Sequence, residues 1–243
     1  TRWGRGQAGG ARSGVARVLV GLLGCSLLLA TPAAADPSEL GQWSPLVNWP
    51  ISATHAHLLP TGKVFFFGEF EEGAEAPRIW DPVTETVTAL PPPPHNIFCT
   101  GHSYLADGRM LLTGGHVNPH EGLPHTVIFD PITYSWEHVP DMNDKRWYPT
   151  NTTLPNGDVV VVSGETTGAG TSNALPQRWE AATGSWKNLS TALKPLPYYP
   201  RMFLAPNGKL FCAGTLRPSF YLDPEGTGTW FESALSLFGP RAY

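Results

Sequence analysis

Short apolar runs recur along this chain, and each follows a polar turn that carries a glycine. The runs occupy residues 64–68, 110–115, 159–164 and 210–214, and the turn glycines Gly62, Gly108, Gly157 and Gly208 lie 46, 49 and 51 residues apart. Glycine readily adopts the positive φ of tight turns, and runs such as Val159–Val162 have no helical period. Each unit therefore predicts a β-hairpin whose second strand is buried on both faces.

A second predicted pair of strands recurs in phase with the first. In every unit an acid ends the first strand of this pair. A tryptophan follows soon after the acid in the last three units, and Val87 takes its place in the first unit. A period near 50 residues with these features is typical of a kelch blade, a four-stranded antiparallel sheet packed against its neighbours. The sequence thus predicts an all-β, kelch-like β-propeller domain over residues 36–243, with blades at about 51–98, 99–147, 148–198 and 199–243.

The first 35 residues have the composition of an export signal. Four arginines precede an apolar run over residues 18–30, and three small residues, 33–35, offer a cleavage site before Asp36. The run is too short to span a bilayer, which takes about 20 apolar residues. Cys25 could also end a lipoprotein cleavage box, although the apolar run continues past it. We predict a signal peptide over 1–35 and a secreted protein, extracellular or periplasmic, that is not membrane-bound after cleavage.

The net charge of the chain indicates which classes of binding partner are unsuitable. Without the four signal arginines, 12 Lys and Arg residues face 20 Asp and Glu residues, a net charge of −8. An acidic surface does not suit nucleic acid. We therefore expect a monomer that binds a small molecule rather than nucleic acid.

Two stretches at equivalent positions of consecutive units point to a family. Residues 98–102 read Phe-Cys-Thr-Gly-His and residues 146–150 read Arg-Trp-Tyr-Pro-Thr. Together with residues 41–45, 55–62 and 199–203, they resemble the glyoxal oxidase and galactose oxidase family, and the likeness covers about residues 41–243. The resemblance implies that the chain holds about four blades of a seven-bladed propeller.

The resemblance also implies a copper-radical cofactor. Cys99 and Tyr148 would be joined by a thioether to form the catalytic pair, and Tyr148 would also be a copper ligand. Phenolate and imidazole ligands suit Cu²⁺. The implied activity is oxidation of a small aldehyde or primary alcohol by O₂ to give H₂O₂. The chain lacks matches to the family's second tyrosine and copper histidines, so we expect it to be inactive by itself.

Other interpretations of these residues remain open. Cys99 could form a disulfide with Cys212, or it could be a buried thiol. His116, His120 and His125 fall in one predicted loop, and we expect loop residues rather than metal ligands there.

His55 and His57 alternate on a predicted strand, where they could form a metal pair but are expected to be structural. The turn at 164–168, which in the galactose oxidase branch supplies a stacked tryptophan, holds no aromatic residue. Small substrates are therefore favoured over sugars.

Two other functions are compatible with the repeat. A non-catalytic kelch propeller could bind protein or glycan through its blade loops, since fold does not fix function. Glu69, Glu71 and Glu72 give weaker support to a glycan-processing enzyme that uses paired carboxylates.

Overall fold

A computed structural model describes residues 36, 38, 41–68, 77–213 and 217–237. The chain divides into two units, residues 1–47 and residues 48–243. The described residues of the first unit are all solvent-exposed. The predicted signal peptide and the three glutamates at 69, 71 and 72 lie outside the described residues.

The second unit contains four sheets, each of four strands, within its described residues. The strands of the first two sheets are β1 (His55–Leu58), β2 (Val64–Phe67), β3 (Arg78–Asp81), β4 (Thr86–Ala89), β5 (Thr100–Tyr104), β6 (Met110–Gly114), β7 (Thr126–Asp130) and β8 (Ser135–Val139). Those of the last two are β9 (Thr150–Thr153), β10 (Val159–Val162), β11 (Gln177–Glu180), β12 (Ser185–Asn188), β13 (Met202–Leu204), β14 (Leu210–Cys212), β15 (Pro218–Asp223) and β16 (Thr229–Leu235).

Each sheet is an antiparallel meander in which strands pair in chain order. The predicted turn glycines connect the first two strands of every sheet, and all four have φ between 77° and 88°. The predicted second strands are confirmed as the buried ones, because every residue of β6 and β10 is buried.

Alternate side chains of these buried strands pack against different neighbouring sheets. Met110 and Leu112 pack with Phe65 and Phe67 of the first sheet, whereas Leu111 packs with Val159 of the third. The same alternation continues in the third sheet, where Val160 and Val162 pack against Leu210 and Leu222 of the fourth. Since side chains alternate along a strand, one apolar strand contributes to two cores.

The three tryptophans that recur after the acids lie on the fourth strand of their sheets, and each pairs with a residue of the third strand. Trp136 pairs with Phe129, Trp186 with Trp179, and Trp230 with Leu222. Each of these three tryptophans also donates its indole N–H to a carbonyl in the segment that leaves the preceding sheet, at 3.0, 2.9 and 2.8 Å. The acceptors are the carbonyls of Pro91, Pro140 and Ala192.

In the described part of the chain, all the named elements are strands of four-stranded antiparallel sheets, which confirms the predicted all-β, propeller-like fold class. The total of seven blades and the domain boundaries stay predictions. In the described part of the chain, no helix has the length and apolar character needed to cross a membrane.

Candidate functional site

The two residues predicted to carry the chemistry occupy the same position of neighbouring sheets. Cys99 directly precedes β5 and Tyr148 lies just before β9, while Tyr199 lies just before β13. Their φ angles are 64°, 63° and 39°. Left-handed backbone costs a residue other than glycine about 1–3 kcal/mol, so it persists only where the surroundings hold it in place.

Backbone hydrogen bonds link these three positions in series. The Tyr148 N–H donates to the Cys99 carbonyl at 3.0 Å, and the Tyr199 N–H donates to the Tyr148 carbonyl at 2.9 Å. The Tyr199 hydroxyl also donates to the Thr100 carbonyl at 3.1 Å. Cys99 is fully buried. The structure therefore brings Cys99 and Tyr148 into direct backbone contact across two sheets.

The Tyr148 ring lies between two other aromatic rings. The Trp147 indole stacks on it with ring centroids 3.9 Å apart and planes 9° apart, and Tyr199 stacks with centroids 4.7 Å apart and planes 20° apart. Tyr198 meets the same ring edge-on at 5.5 Å. Contact with three aromatic rings restricts the approach of water to the Tyr148 ring.

A cavity of about 290 Å³ lies beside Tyr148. Its lining comprises Thr54, His55, His102, Tyr148 and Tyr199. The His102 Nε2 and the His55 Nδ1 are 3.2 Å apart. Burial, followed by the nearby His57, lowers the pKa of His55 to about 4, and burial lowers the pKa of His102 well below its usual value. Both imidazoles are therefore neutral at neutral pH.

His116 contacts both halves of the site. The Trp147 Nε1–H donates to the His116 Nδ1 at 2.9 Å, and the Cys99 Sγ lies 3.9 Å from the same nitrogen. Because Nδ1 accepts from the indole, the neutral ring carries its proton on Nε2. His116 thus fixes the orientation of Trp147 next to Tyr148.

Arg146 anchors the segment that carries Trp147 and Tyr148. Its side chain is fully buried and donates to the Ser163 carbonyl at 2.7 Å, the Leu175 carbonyl at 2.6 Å and the Asn143 Oδ1 at 3.0 Å. Burial lowers the pKa of the guanidinium to about 9. The group remains charged at neutral pH, and its rigid fork joins the Tyr148 segment to both ends of the loop between β10 and β11.

A second cluster contacts Trp147. The His120 Nδ1 is 2.8 Å from the Glu165 Oε2 and 2.9 Å from the Tyr198 hydroxyl. Burial, then the hydrogen bond and charge of Glu165, raise the pKa of Tyr198 to about 12. Tyr198 and Glu165 also line a cavity of about 470 Å³, so polar groups here face space that a small molecule can enter.

The structure also shows where the other candidate residues lie. No disulfide joins Cys99 to Cys212, and Cys212 lies in β14, two sheets from Cys99. His116, His120 and His125 lie between β6 and β7, so their placement in a loop is confirmed. His55 and His57 lie on β1 as expected, and the rings of His57 and His102 are 4.3 Å apart.

Several residues around Tyr148 were not predicted from the sequence. The stacked indole comes from Trp147, whereas the sequence analysis considered a stacked tryptophan only in the turn at 164–168. Tyr199 was also missed, although Cys99, Tyr148 and Tyr199 each stand nine residues before the turn glycine of their unit. That shared position is the sequence signal that identifies Tyr199.

Chemically, the site combines a phenol that lies between aromatic rings, a buried thiol beside it, and neutral imidazoles in the adjoining cavity. Phenol oxygens and neutral imidazole nitrogens are donors for divalent transition metals such as Cu²⁺. A thiol and a phenol ring held in neighbouring backbone positions also form a pair that oxidation can join.

Known proteins are similar to this chain in sequence and, in one solved structure, in fold. The chain is 28% identical over 177 residues to a galactose oxidase of Gibberella zeae, which covers 67% of this chain and 25% of that protein. It is 30% identical over 157 residues to the aldehyde oxidase GLOX of Vitis pseudoreticulata, covering 60% of this chain and 28% of that protein. The chain therefore spans about a quarter of the length of these relatives.

A solved structure has the same architecture. It is described as a fungal alcohol oxidase of the AA5 family in complex with copper, and it superposes with a TM-score of 0.70 at 21% identity. The superposition covers 82% of this chain and 45% of that one. The family model "Glyoxal oxidase N-terminus" matches residues 78–226, which include both Cys99 and Tyr148. Since this match spans more than half of the sequence, the chain belongs to the glyoxal oxidase N-terminal family.

Proposed function

We propose that this chain forms part of an exported copper-radical oxidase that oxidises a small aldehyde or primary alcohol with O₂ and releases H₂O₂. Membership of the glyoxal oxidase N-terminal family supports the reaction class. The names of three similar proteins, a galactose oxidase, an aldehyde oxidase and a copper-bound alcohol oxidase, point to the same class.

The observation that carries the proposal is the contact between Cys99 and Tyr148, whose backbones are joined by a 3.0 Å hydrogen bond. We infer a thioether between the Cys99 Sγ and the Tyr148 ring carbon next to the phenol oxygen. Its formation breaks the S–H bond and one ring C–H bond. The two protons and two electrons that these bonds release reduce O₂ to H₂O₂.

The residues around Tyr148 fit a copper ion. The Tyr148 oxygen is the proposed ligand from this chain. His55 in the same cavity has a buried Nε2 with no hydrogen-bond partner among the described residues. Phenol and imidazole are donors that Cu²⁺ prefers. When bound, copper supplies one of the two one-electron acceptors that oxidation of an alcohol requires.

The protein's own residues then have distinct roles. Tyr148, once oxidised to its radical, would accept the second electron, and the Cys99 sulfur on its ring would make that radical easier to form. Trp147 and Tyr199 cover the two faces of the ring and limit quenching by water. Arg146 and His116 hold the Trp147–Tyr148 segment in position.

Cavity size favours small substrates. The cavity beside Tyr148 has a volume of about 290 Å³, which is just below the range of about 300–1,000 Å³ for ligand pockets. A small aldehyde or a simple primary alcohol fits this volume.

The test is a mass measurement on the full-length product of the gene that contains this chain. After loading with Cu²⁺ under air and digestion, peptides with Cys99 and Tyr148 should be joined with the loss of two hydrogens. Cys99→Ser and Tyr148→Phe should abolish the joined peptide and aldehyde-dependent H₂O₂ production. Cys212→Ser is the matched control and should retain both. Separate peptides with a titratable Cys99 thiol would refute the oxidase and favour a binding propeller.

Export is part of the same proposal. The basic and apolar composition of residues 1–35 supports it. Amino-terminal sequencing of protein recovered outside the producing cell should begin at Asp36. A mature protein that retains Arg17 would contradict it.

A further inference from the structure

A second cluster of metal-ligand side chains lies on the second sheet, away from the residues assigned to the oxidase. Within the described residues, His125, His138 and Asp141 are the one group of three or more such side chains whose ligand atoms all lie within 4.8 Å of one another. The proposed oxidation does not use them. We propose that these three residues, with His95 as the fourth ligand, bind a divalent transition metal of the Zn²⁺ type.

The distances match the edges of a metal coordination shell. One carboxylate oxygen, the Asp141 Oδ1, lies 3.1 Å from the His125 Nδ1 and 3.3 Å from the His138 Nε2. Tetrahedral Zn²⁺ with bonds of about 2.0–2.1 Å separates its ligands by about 3.3 Å. An ion can therefore enter between these atoms with little rearrangement.

The fold holds the three ligands in place. Val127 pairs with His138 in the ladder of β7 and β8, so His125 and His138 occupy diagonal positions on one face, within reach of long side chains. The Met142 N–H donates to the Pro124 carbonyl at 2.9 Å, which keeps the adjacent Asp141 next to His125.

His95 is prepared as a ligand by a hydrogen bond on its opposite side. Its Nε2 lies 3.2 Å from the Gly114 carbonyl, so Nε2 carries the proton and Nδ1 keeps its lone pair. The Nδ1 is buried and has no hydrogen-bond partner in the described part of the chain. Histidine ligands of metals commonly donate their other N–H to a backbone carbonyl in this way.

Gly114 brings His95 close to His125. Its carbonyl faces His95, while its N–H donates to the His125 carbonyl at 2.8 Å. The ring centroids of His95 and His125 are 5.0 Å apart.

Three imidazoles and one carboxylate form a ligand set that suits Zn²⁺ or Cu²⁺ and not Ca²⁺ or Mg²⁺, which take oxygen ligands. A bound ion would connect the segment between β4 and β5, which carries His95, to the β7–β8 hairpin. His95 stands four residues before Cys99. The site would therefore act as a brace for the backbone that leads to Cys99.

The test is a Zn²⁺ titration of the tag-free, EDTA-treated 243-residue chain, followed by calorimetry. We expect one Zn²⁺ per chain and a higher Tm with Zn²⁺ than with EDTA. Asp141→Asn should weaken binding by at least about 100-fold, because loss of an outer partner alone costs 10–100-fold. Asp107→Asn is the matched control, since Asp107 is also exposed and pairs with Arg109 at 2.8 Å rather than with histidine.

Co²⁺ serves as the spectroscopic probe. Four-coordinate Co²⁺ gives stronger visible bands than hydrated Co²⁺, and His95→Gln should weaken those bands in a protein that is otherwise folded by circular dichroism. Absence of Zn²⁺ uptake by the wild-type chain would overturn the site, as would equal affinity in Asp141→Asn. Unchanged Co²⁺ bands in His95→Gln would overturn the role of His95. None of these three results depends on the thioether between Cys99 and Tyr148.

Discussion

Acid should destabilise this protein through its buried histidines, and His55 gives the clearest case. Its side chain is 8% exposed and its ring stacks on Phe67 with centroids 4.7 Å apart. Burial and the nearby His57 lower its pKa from 6.5 to about 4. Below pH 6.5 the unfolded chain therefore binds a proton that the folded chain excludes. The stabilisation is complete above about pH 6.5 and is lost as the pH falls towards 4.

The magnitude follows from the two pKa values of His55. One pH unit corresponds to about 1.4 kcal/mol, so the full difference is worth about 3 kcal/mol. Between about pH 7.5 and pH 5, the free energy of unfolding should fall by about 2 kcal/mol because of His55 alone. His57 and His95, whose pKa values burial also lowers to about 4, add losses of the same sign.

The assay is urea unfolding followed by tryptophan fluorescence at several pH values in EDTA. His55→Gln should be less stable than wild type at neutral pH but should lose about 2 kcal/mol less on acidification to pH 5. Leu193→Gln, which removes no titratable group from a side chain that is 65% exposed, should retain the wild-type acid dependence. If His55→Gln and wild type show the same acid dependence, His55 is not the buried neutral group that the reasoning requires.

Three further substitutions probe the packing between sheets. Trp186→Phe removes the indole hydrogen bond to the Pro140 carbonyl and should cost about 1 kcal/mol in urea unfolding, plus any loss of ring packing; an unchanged midpoint would contradict this. Gly122→Ala places a Cβ 2.2 Å from the Arg146 carbonyl carbon and should lower the free energy of unfolding by at least about 1–3 kcal/mol. Gly168→Ala is the control, because a Cβ there has no heavy atom within 4 Å, and it should leave the stability nearly unchanged. Arg146→Lys keeps the charge but cannot span its three acceptors, so thermal unfolding should show a loss of at least about 2 kcal/mol; wild-type stability would refute the anchoring role.

The sheets could be predicted because their signals are local. A turn glycine such as Gly157 and a run such as Val159–Val162 specify a hairpin within a few residues. The acid and tryptophan that follow, such as Glu180 and Trp186, specify the next one. All these signals recur at the blade period, so the pattern reports strand order without any knowledge of distant contacts.

The candidate site was only partly predictable because its geometry depends on contacts between sheets. The positive φ of Tyr148 and its hydrogen bond to Cys99 arise where two sheets meet, and no local pattern encodes them. The stacking of Trp147 on Tyr148 requires that unusual backbone, since neighbours in an extended strand point to opposite faces.

The proposed metal cluster was missed for a similar reason. His125 was assigned to one loop with His116 and His120, His95 lies between β4 and β5, and His138 and Asp141 lie in and just after β8. Only the packing of the β4–β5 segment against the β7–β8 hairpin brings their rings together. The spacing of these four residues along the sequence does not predict that packing.

The indole hydrogen bonds between sheets also set an order of assembly during synthesis. Each acceptor carbonyl lies 38 to 46 residues before its tryptophan, so it leaves the ribosome first. A newly completed sheet can therefore dock on the one already made, without waiting for later sequence. Because chains fold from the amino terminus as they emerge, these tryptophans would close the structure one sheet at a time.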